Sequence, residues 1–156
     1  YYLAHKSIEV GYYPEIILAG RRVNENMSNH IVQQVCALMV KKNINIAGSN
    51  VLIMGITFKE NCSDMRNSGV INIVKQLEIL SCNVEVYDPW CDKEFAKEEL
   101  NISTIIEPIS GKYDSIILAV AHDIFKDFSI DKIREYGKQN HVVYDVKYFQ
   151  RYKFIR

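Results

Sequence analysis

From residue 50 onwards, short runs of aliphatic residues alternate with segments whose apolar residues recur every three or four positions. Runs of Val, Ile and Leu are typical of strands buried on both faces of a sheet, and the longer spacing is typical of amphipathic helices. The pattern predicts strands at 50–58, 83–89, 102–106, 114–121 and 141–146, and helices at 68–80, 92–100 and 130–137. This alternation indicates an α/β fold, in which helices cover both faces of a parallel sheet.

A helical arm is predicted to precede the sheet. Residues 1–11 favour a short helix, which Gly11 and Pro14 bring to an end, and residues 15–42 favour a long one. The long helix has an apolar stripe at spacings of three and four, formed by Val23, Met27, Ile31, Val35 and Leu38 and widened by Val32, Cys36, Met39 and Val40. Two interpretations stay open: the helix packs only on its own domain, or part of the stripe is a dimer surface.

Composition narrows the class of protein. The chain has 156 residues, and its 19 basic residues balance its 19 acidic ones, so no global field draws it to nucleic acid or to an anionic membrane. No apolar run approaches the roughly 18 residues of a membrane span, and the N-terminus does not resemble a signal peptide. The four cysteines lack the spacing of a zinc site, so we expect no metal and reduced thiols in a cytoplasmic protein. The first residue is not Met, and we expect the chain to be a piece of a longer protein.

The predicted sheet indicates where a ligand would bind, because ligands of open parallel sheets lie beyond the carboxyl ends of the strands. Four segments follow strands at this edge: GITFKENCSDMR (55–66), YDPW (87–90), AVAHDIF (119–125) and YDVKYF (144–149). We therefore expect a candidate site where these four segments meet.

The first of these segments has a single glycine, Gly55, where the G-x-G-x-x-G pattern would let the backbone approach a pyrophosphate. It offers side chains instead. Lys59 and Arg66 have the charge to bind phosphate oxygens, and Phe58 has a flat surface to lie against a base or a sugar. A solvated loop with weak surface ion pairs is the alternative, and the residue types leave both interpretations open.

The other segments contain further candidates. Asp88 has the chemistry to accept a ribose hydroxyl, but we favour a role as the cap of the following helix. His122 is a candidate general base, although a hydrogen-bonded structural role is the more common one for such a histidine. Lys147 ends the last strand and is a second basic group directed to the site of Lys59. Cys62 has no neighbouring histidine in the sequence, so we do not expect a catalytic thiolate there.

Taken together, these motifs resemble a known family. VLIMGITFKENCSDMRNS (51–68), VEVYDPW (84–90), AVAHDIF (119–125) and VVYDVK (142–147) resemble, in order and spacing, the C-terminal domain of the UDP-glucose/GDP-mannose dehydrogenases. Residues 1–27 are similar to the branch that acts on UDP-N-acetylhexosamines in bacterial capsule and O-antigen synthesis. The resemblance implies that residues 1–46 end a central helical dimerisation domain and that 47–156 form a Rossmann-like UDP-sugar-binding domain.

The resemblance also implies an activity. Members of this family use NAD to oxidise the sugar C6 hydroxyl to a carboxylate in two steps, through a thiohemiacetal and a thioester on a cysteine. The nucleophilic cysteine is expected upstream of Tyr1, as is the glycine-rich dinucleotide domain, so no catalytic residue is expected within this chain. The expected partners are a UDP-N-acetylhexosamine and a second copy of the chain, bound through the long helix.

Individual roles follow from the positions that match the family. Arg66 matches an arginine that reaches NAD. The residues that match positions contacting or lying near the UDP-sugar are Phe58, Lys59, Lys147, Tyr1 and Tyr2. Two other interpretations are a non-catalytic dimerisation or assembly module and an unrelated α/β domain that binds a nucleotide or acyl-CoA. The sequence does not specify which hexosamine epimer is used.

Overall fold

The structure is a computed structural model that describes residues 2–148. The helices are α1 (Tyr2–Glu9), α2 (Glu15–Lys41), α3 (Gly69–Ile79), α4 (Lys93–Glu98), α5 (Asp123–Lys126) and α6 (Ile130–Glu135). The strands are β1 (Asn50–Met54), β2 (Asn83–Tyr87), β3 (Thr104–Ile105), β4 (Tyr113–Leu118) and β5 (Gly137–Asp145). Strands and helices alternate along the chain from β1 onwards, as the periodicity predicts.

The five strands form one parallel sheet in the order β3-β2-β1-β4-β5. Met54 at the end of β1 is level with Tyr87 on β2 and with Leu118 on β4, and Leu118 is level with Asp145 on β5. The carboxyl ends of four strands therefore lie along one edge, where the sequence predicts the candidate site.

Helices cover both faces of this sheet, which confirms the predicted fold class. Val51 and Ile53 of β1 pack in a cluster with apolar residues of α2, α3 and α4. Leu52 and Met54, which point to the opposite face, pack with Phe125 of α5 and with residues of α6. Because successive side chains of a strand alternate between faces, burial on both sides explains why β1 has no polar residue after Asn50.

The long helix α2 is buried along only part of its length. Ile31, Val32, Val35 and Met39 lie in the core, whereas the stripe residue Val23 is 61% exposed. The hydroxyl of Ser28 donates to the carbonyl of Gly69 at the start of α3. From this contact, residues 15–27 extend for about 20 Å at 1.5 Å per residue. In the C-terminal half of the helix the stripe is thus packed at these four positions, whereas Leu38 and Val40 are exposed, as are Val23 and Met27 in the N-terminal half.

All five strands end before their predicted boundaries, and β1 and β4 do so by three or more residues because the chain turns where apolar residues continue. Gly55 has a φ of +90°, in the left-handed region, and this ends β1 four residues before the predicted boundary at Phe58. The N–H groups of Ala119 and Val120 both donate to the carbonyl of Met54, and this closes β4 at Leu118. The short helix α5 is not anticipated by the pattern, since four residues are too few to show a helical period.

Gly55 combines a positive φ with the close approach of another part of the chain. A Cβ atom there would lie 2.5 Å from the Cβ of Val120, in addition to the strain of a positive φ. We expect Gly55→Ala to lower the free energy of unfolding by about 2–4 kcal/mol, from left-handed strain and overpacking together. Urea denaturation monitored by circular dichroism measures this change.

Gly48→Ala is the matched control, because Gly48 has a φ of +80° but its Cβ would meet nothing within 4 Å. Gly48→Ala should lower the free energy of unfolding only by the strain of a left-handed backbone, about 1–2 kcal/mol. If the two variants are equally stable, the close approach of the β1 turn to Val120 does not matter for stability.

Candidate functional site

In the turn after β1, the first residues are buried and the middle residues are exposed. Ile56 and Thr57 are buried, whereas Phe58 is 54% exposed, and Lys59 is also exposed. The N–H of Phe58 donates to the carbonyl of Asp64 at 2.7 Å, and the hydroxyl of Thr57 donates to the carbonyl of Lys59 at 3.1 Å. These internal bonds give the loop a defined shape and direct the two predicted ligand residues outwards.

Asp88, which follows β2, holds the base of this turn. Its side chain is 1% exposed. One carboxylate oxygen, Oδ2, accepts hydrogen bonds from the N–H groups of Ile56 at 2.7 Å and Thr57 at 3.2 Å. The other, Oδ1, accepts from the N–H groups of Trp90 at 2.8 Å and Cys91 at 3.2 Å. Asp88 therefore joins the end of β1 to the end of β2.

The predicted role of Asp88 as a helix cap is wrong. Asp92 caps α4, since its Oδ1 accepts from the N–H groups of Glu94 and Phe95, both at 3.1 Å. The chain makes a further turn through Trp90 before α4 begins at Lys93. Asp88 is thus too far from the helix N-terminus, and its carboxylate points into the sheet edge instead.

His122, between β4 and α5, completes the buried network. The imidazole is fully buried, and its Nε2 lies 3.1 Å from Oδ2 of Asp88 and 3.2 Å from the hydroxyl of Thr57. Its Nδ1 accepts the backbone N–H of Asn61 at 2.9 Å. Because Nδ1 is an acceptor, the proton of the neutral ring is assigned to Nε2, which donates to the carboxylate. The hydrogen-bonded structural role predicted for His122 is confirmed.

The buried network favours an ionised Asp88. Burial raises the pKa of this carboxyl group, but hydrogen bonds from His122 and from the N–H groups of Ile56 and Trp90 outweigh it, and the net pKa is lowered. A buried carboxylate is stable only when donors surround it, and here four backbone N–H groups and one imidazole do so.

The predicted ligand residues are arranged around this network. Lys59 Nζ lies 5.9 Å from the centroid of the Phe58 ring, so the two residues form one exposed surface. Arg66, whose side chain is 76% exposed, forms a two-pronged contact with the carboxylate of Asp64 at 2.9 and 3.0 Å. The Arg66 hydrogen bond lowers the pKa of Asp64 to about 2, so this pair is charged at any physiological pH. An exposed pair of this kind contributes little stability, which leaves Arg66 able to exchange Asp64 for another anion.

The other predicted substrate residues are not brought into the same cluster. Lys147 is exposed just beyond β5, two strands from β1 and therefore about 10 Å away across the sheet. Tyr2 begins α1, at the start of the helical arm in the sequence, and is exposed. Tyr1 lies outside the described residues.

Three residues at this edge were not singled out from the sequence. Asn61, Trp90 and Asp123 line an open recess of about 510 Å³, together with Pro89 and Ile124. The ring of Trp90 stacks over that of His122, with centroids 6.5 Å apart and an angle of 18° between the planes. The available signal was their position, because each lies within three residues of the end of a predicted strand.

The described residues provide neither a metal centre nor an activated nucleophile. No group of three or more His, Cys, Asp or Glu side chains in residues 2–148 is arranged to hold a metal ion. Cys62 accepts the N–H of Asp64 at 3.4 Å, and both ring nitrogens of His122 are committed to other partners. In the same part of the chain, no helix is both long and apolar enough to span a bilayer.

Comparison with known proteins identifies the family. Residues 52–151 match the UDP-binding domain of the UDP-glucose/GDP-mannose dehydrogenase family. The chain therefore belongs to this family. Over 148 residues, it is 53% identical to a UDP-N-acetyl-D-glucosamine 6-dehydrogenase of Salmonella typhi and 49% identical to one of Pseudomonas aeruginosa. These alignments cover 95% of the chain but 35% of each relative, so the chain spans about a third of their length.

The fold is also similar to that of a solved structure. A UDP-glucose dehydrogenase from Pyrobaculum islandicum superposes with a TM-score of 0.78 at 23% identity, over 95% of this chain and 32% of that one. At this identity the likeness concerns the fold alone, and it confirms the predicted Rossmann-like architecture.

Asp88→Asn tests the buried network. An amide has one acceptor oxygen, so one pair of backbone N–H groups would face an NH2 group. We therefore expect the free energy of unfolding to fall by about 3 kcal/mol or more at pH 7. Folding lowers the pKa of Asp88. The contribution of its carboxylate to the free energy of unfolding is therefore complete above the ordinary carboxyl pKa, and it is lost as the pH falls through the lower pKa of the folded state. The difference in the free energy of unfolding between the wild type and Asp88→Asn should therefore become smaller below about pH 4.

The measurement is urea unfolding at a series of pH values between 3 and 7. Asp92→Asn is the matched control: Asp92 is exposed and caps α4, and Asn caps a helix as well as Asp does. Equal losses in the two variants would contradict the role of Asp88 as a buried junction.

Proposed function

We propose that the chain is the C-terminal part of an NAD-dependent UDP-N-acetylhexosamine 6-dehydrogenase. The observation that carries this proposal is the Phe58–Lys59 surface, exposed on a turn that Asp88 and His122 fasten to the carboxyl edge of the sheet. The identity to two UDP-N-acetyl-D-glucosamine 6-dehydrogenases supports the choice of substrate class. The full enzyme would oxidise the sugar C6 hydroxyl to a carboxylate for surface-polysaccharide synthesis.

This chain would supply the binding of the UDP moiety. Lys59 is exposed and suited to a charge-assisted contact with the diphosphate, and Phe58 offers a flat surface beside it. Lys147 would contact the substrate from the end of β5. Tyr1 and Tyr2 would lie near the sugar in the assembled enzyme, where a neighbouring domain covers the arm.

NAD would be held mainly by a domain outside this chain. The β1 turn does not fit a dinucleotide pyrophosphate, since the N–H groups of Ile56, Thr57 and Asn61 are directed to Asp88 and His122. When bound, NAD supplies the hydride acceptor for each oxidation step. Arg66 would reach it across the interdomain cleft by releasing Asp64. The four cysteines, all free, fit a cytoplasmic location.

The exposed half of α2 would form a homodimer contact. Val23 and Met27 belong to the apolar stripe, are exposed, and lie in the part of the helix that extends beyond Ser28. An apolar helix face of this kind is suited to pairing with the same face of a second copy.

The site assignment predicts separate effects of two substitutions in the full-length enzyme. Lys59→Ala should raise the KM for the UDP-sugar by about ten- to a hundredfold, because a charge-assisted contact is worth about 1.5–3 kcal/mol. Arg66→Ala should act mainly on the KM for NAD. Initial rates of NADH formation, with each substrate varied in turn, measure both effects.

Two controls accompany this assay. Glu135→Gln, an exposed change on α6, should leave both KM values unchanged. The 156-residue chain alone should form no NADH, because the nucleophile and the main NAD site are proposed to lie elsewhere. Equal effects of Lys59→Ala and Arg66→Ala on both substrates would contradict the separate roles, and NADH formation by the chain alone would contradict the proposed division of the enzyme.

The dimer contact predicts that Val23→Glu shifts the protein towards monomer, since burying a carboxylate in an apolar interface is unfavourable. Multi-angle light scattering over a range of concentrations measures the mass. Gln33→Glu is the matched control, because it introduces the same charge on an exposed position of the half of α2 that packs on the sheet. A wild-type chain of monomer mass at every concentration would overturn this contact for the chain alone.

A further inference from the structure

One buried imidazole connects the two ends of the turn that carries Phe58 and Lys59. Nε2 of His122 lies 3.2 Å from the hydroxyl of Thr57, which precedes this pair. Nδ1 accepts the N–H of Asn61, which follows it. The side chain of His122 is fully buried, so it acts on a ligand only through these residues.

Asn61 is the point at which the turn is fastened to the end of β4. Its backbone N–H donates to His122, its side-chain Nδ2 donates to the carboxylate of Asp123 at 2.7 Å, and its Oδ1 accepts the N–H of Asp123 at 3.1 Å. Its φ is +54°, a conformation that Asn tolerates better than most residues. Three hydrogen bonds to two consecutive residues thus fix one left-handed position two residues after Lys59.

We propose that His122 is a positioning residue for substrate binding, and that it sets the location of Phe58 and Lys59 by accepting the N–H of Asn61. The inference rests on the proposed role of Lys59 in binding the UDP-sugar. Without this acceptor the turn loses its attachment to the end of β4. Ordering the Lys59 ammonium on binding then costs free energy, and the affinity for the substrate falls. The attachment contributes equally to the bound substrate and to the transition state, so its loss raises KM and leaves kcat unchanged.

Two substitutions of His122 separate positioning from simple packing. In His122→Asn, Oδ1 lies as many bonds from Cβ as Nδ1 of His, so the acceptor for Asn61 is retained and the bond to Asp88 is lost. In His122→Gln, Nε2 reaches towards Asp88 and Thr57, but no acceptor occupies the Nδ1 position. Each variant keeps one side of the network and removes the other.

In the full-length enzyme, we expect His122→Gln to raise the KM for the UDP-sugar about tenfold, the equivalent of one hydrogen bond. His122→Asn should keep this KM within about threefold of the wild type, although it is the variant that loses the buried contact to Asp88. The kcat of both should stay within about twofold, and the KM for NAD should not change. Equal KM values in the two variants, with any loss confined to the melting temperature, would overturn the proposal.

Asn61→Gly decides the question if the buried variants do not fold. This exposed change keeps the backbone N–H and the left-handed conformation but removes both side-chain bonds to Asp123. Because the N–H bond from residue 61 to His122 is retained, the KM for the UDP-sugar should stay within about threefold of the wild type, with kcat unchanged. A KM raised tenfold or more in Asn61→Gly would assign the positioning to the contacts with Asp123 and would overturn the role of His122.

Lys59→Ala, measured in parallel, distinguishes the two proposals. If Lys59→Ala raises the KM for the UDP-sugar and His122→Gln does not, the site assignment stands and the positioning role fails. If Lys59→Ala has no effect, the proposed site fails, and the role of His122 fails with it.

Discussion

The carboxylate of Asp88 is the interaction on which the candidate site depends. A charge removed from water must be matched by donors, and the donors here come from the β1 turn, the chain after β2 and the segment after β4. These three segments must therefore be in place together for any one of them to be stable. The edge of the sheet thus behaves as one cooperative unit, although the residues that form it are more than 30 positions apart in the sequence.

This constraint also limits how the edge could bind an anion, as proposed above. In a glycine-rich dinucleotide turn, backbone N–H groups point at the ligand's pyrophosphate. Here the N–H groups of Ile56, Thr57 and Asn61 point inwards, at a carboxylate and an imidazole of the protein itself. The turn has no backbone donors left at these positions for a ligand. Binding of an anion would therefore depend on side chains, and Lys59 and Arg66 are the exposed cations that the turn provides.

The sheet was predictable from the sequence because its burial is recorded locally. The hydrogen-bond network around Asp88 was not predictable, because its partners are distant in the sequence. Burial on both faces leaves a local record, a run such as VLIM in β1 that no exposed strand would have. The role of Asp88 leaves no local record, because an Asp before a helix fits both a cap and a buried junction. Only its partners 32 and 34 residues away distinguish them. The exposed turn that carries Phe58 and Lys59 could be predicted from its place after β1, and their ligand role stays a prediction. The attachment of Asn61 to Asp123 required the fold.

The helical arm is connected to this edge through α3. The hydroxyl of Ser28 on α2 donates to the carbonyl of Gly69, and the neighbouring Ser68 caps α3 and lies within 3.5 Å of the carbonyl of Thr57 in the β1 turn. A displacement of α2 is thus passed within two contacts to the turn that carries Lys59. Because the exposed half of α2 begins at this same point, a partner that packs on the arm constrains the helix directly beside the ligand edge. The proposed assembly through the arm would therefore be physically linked to order in the turn.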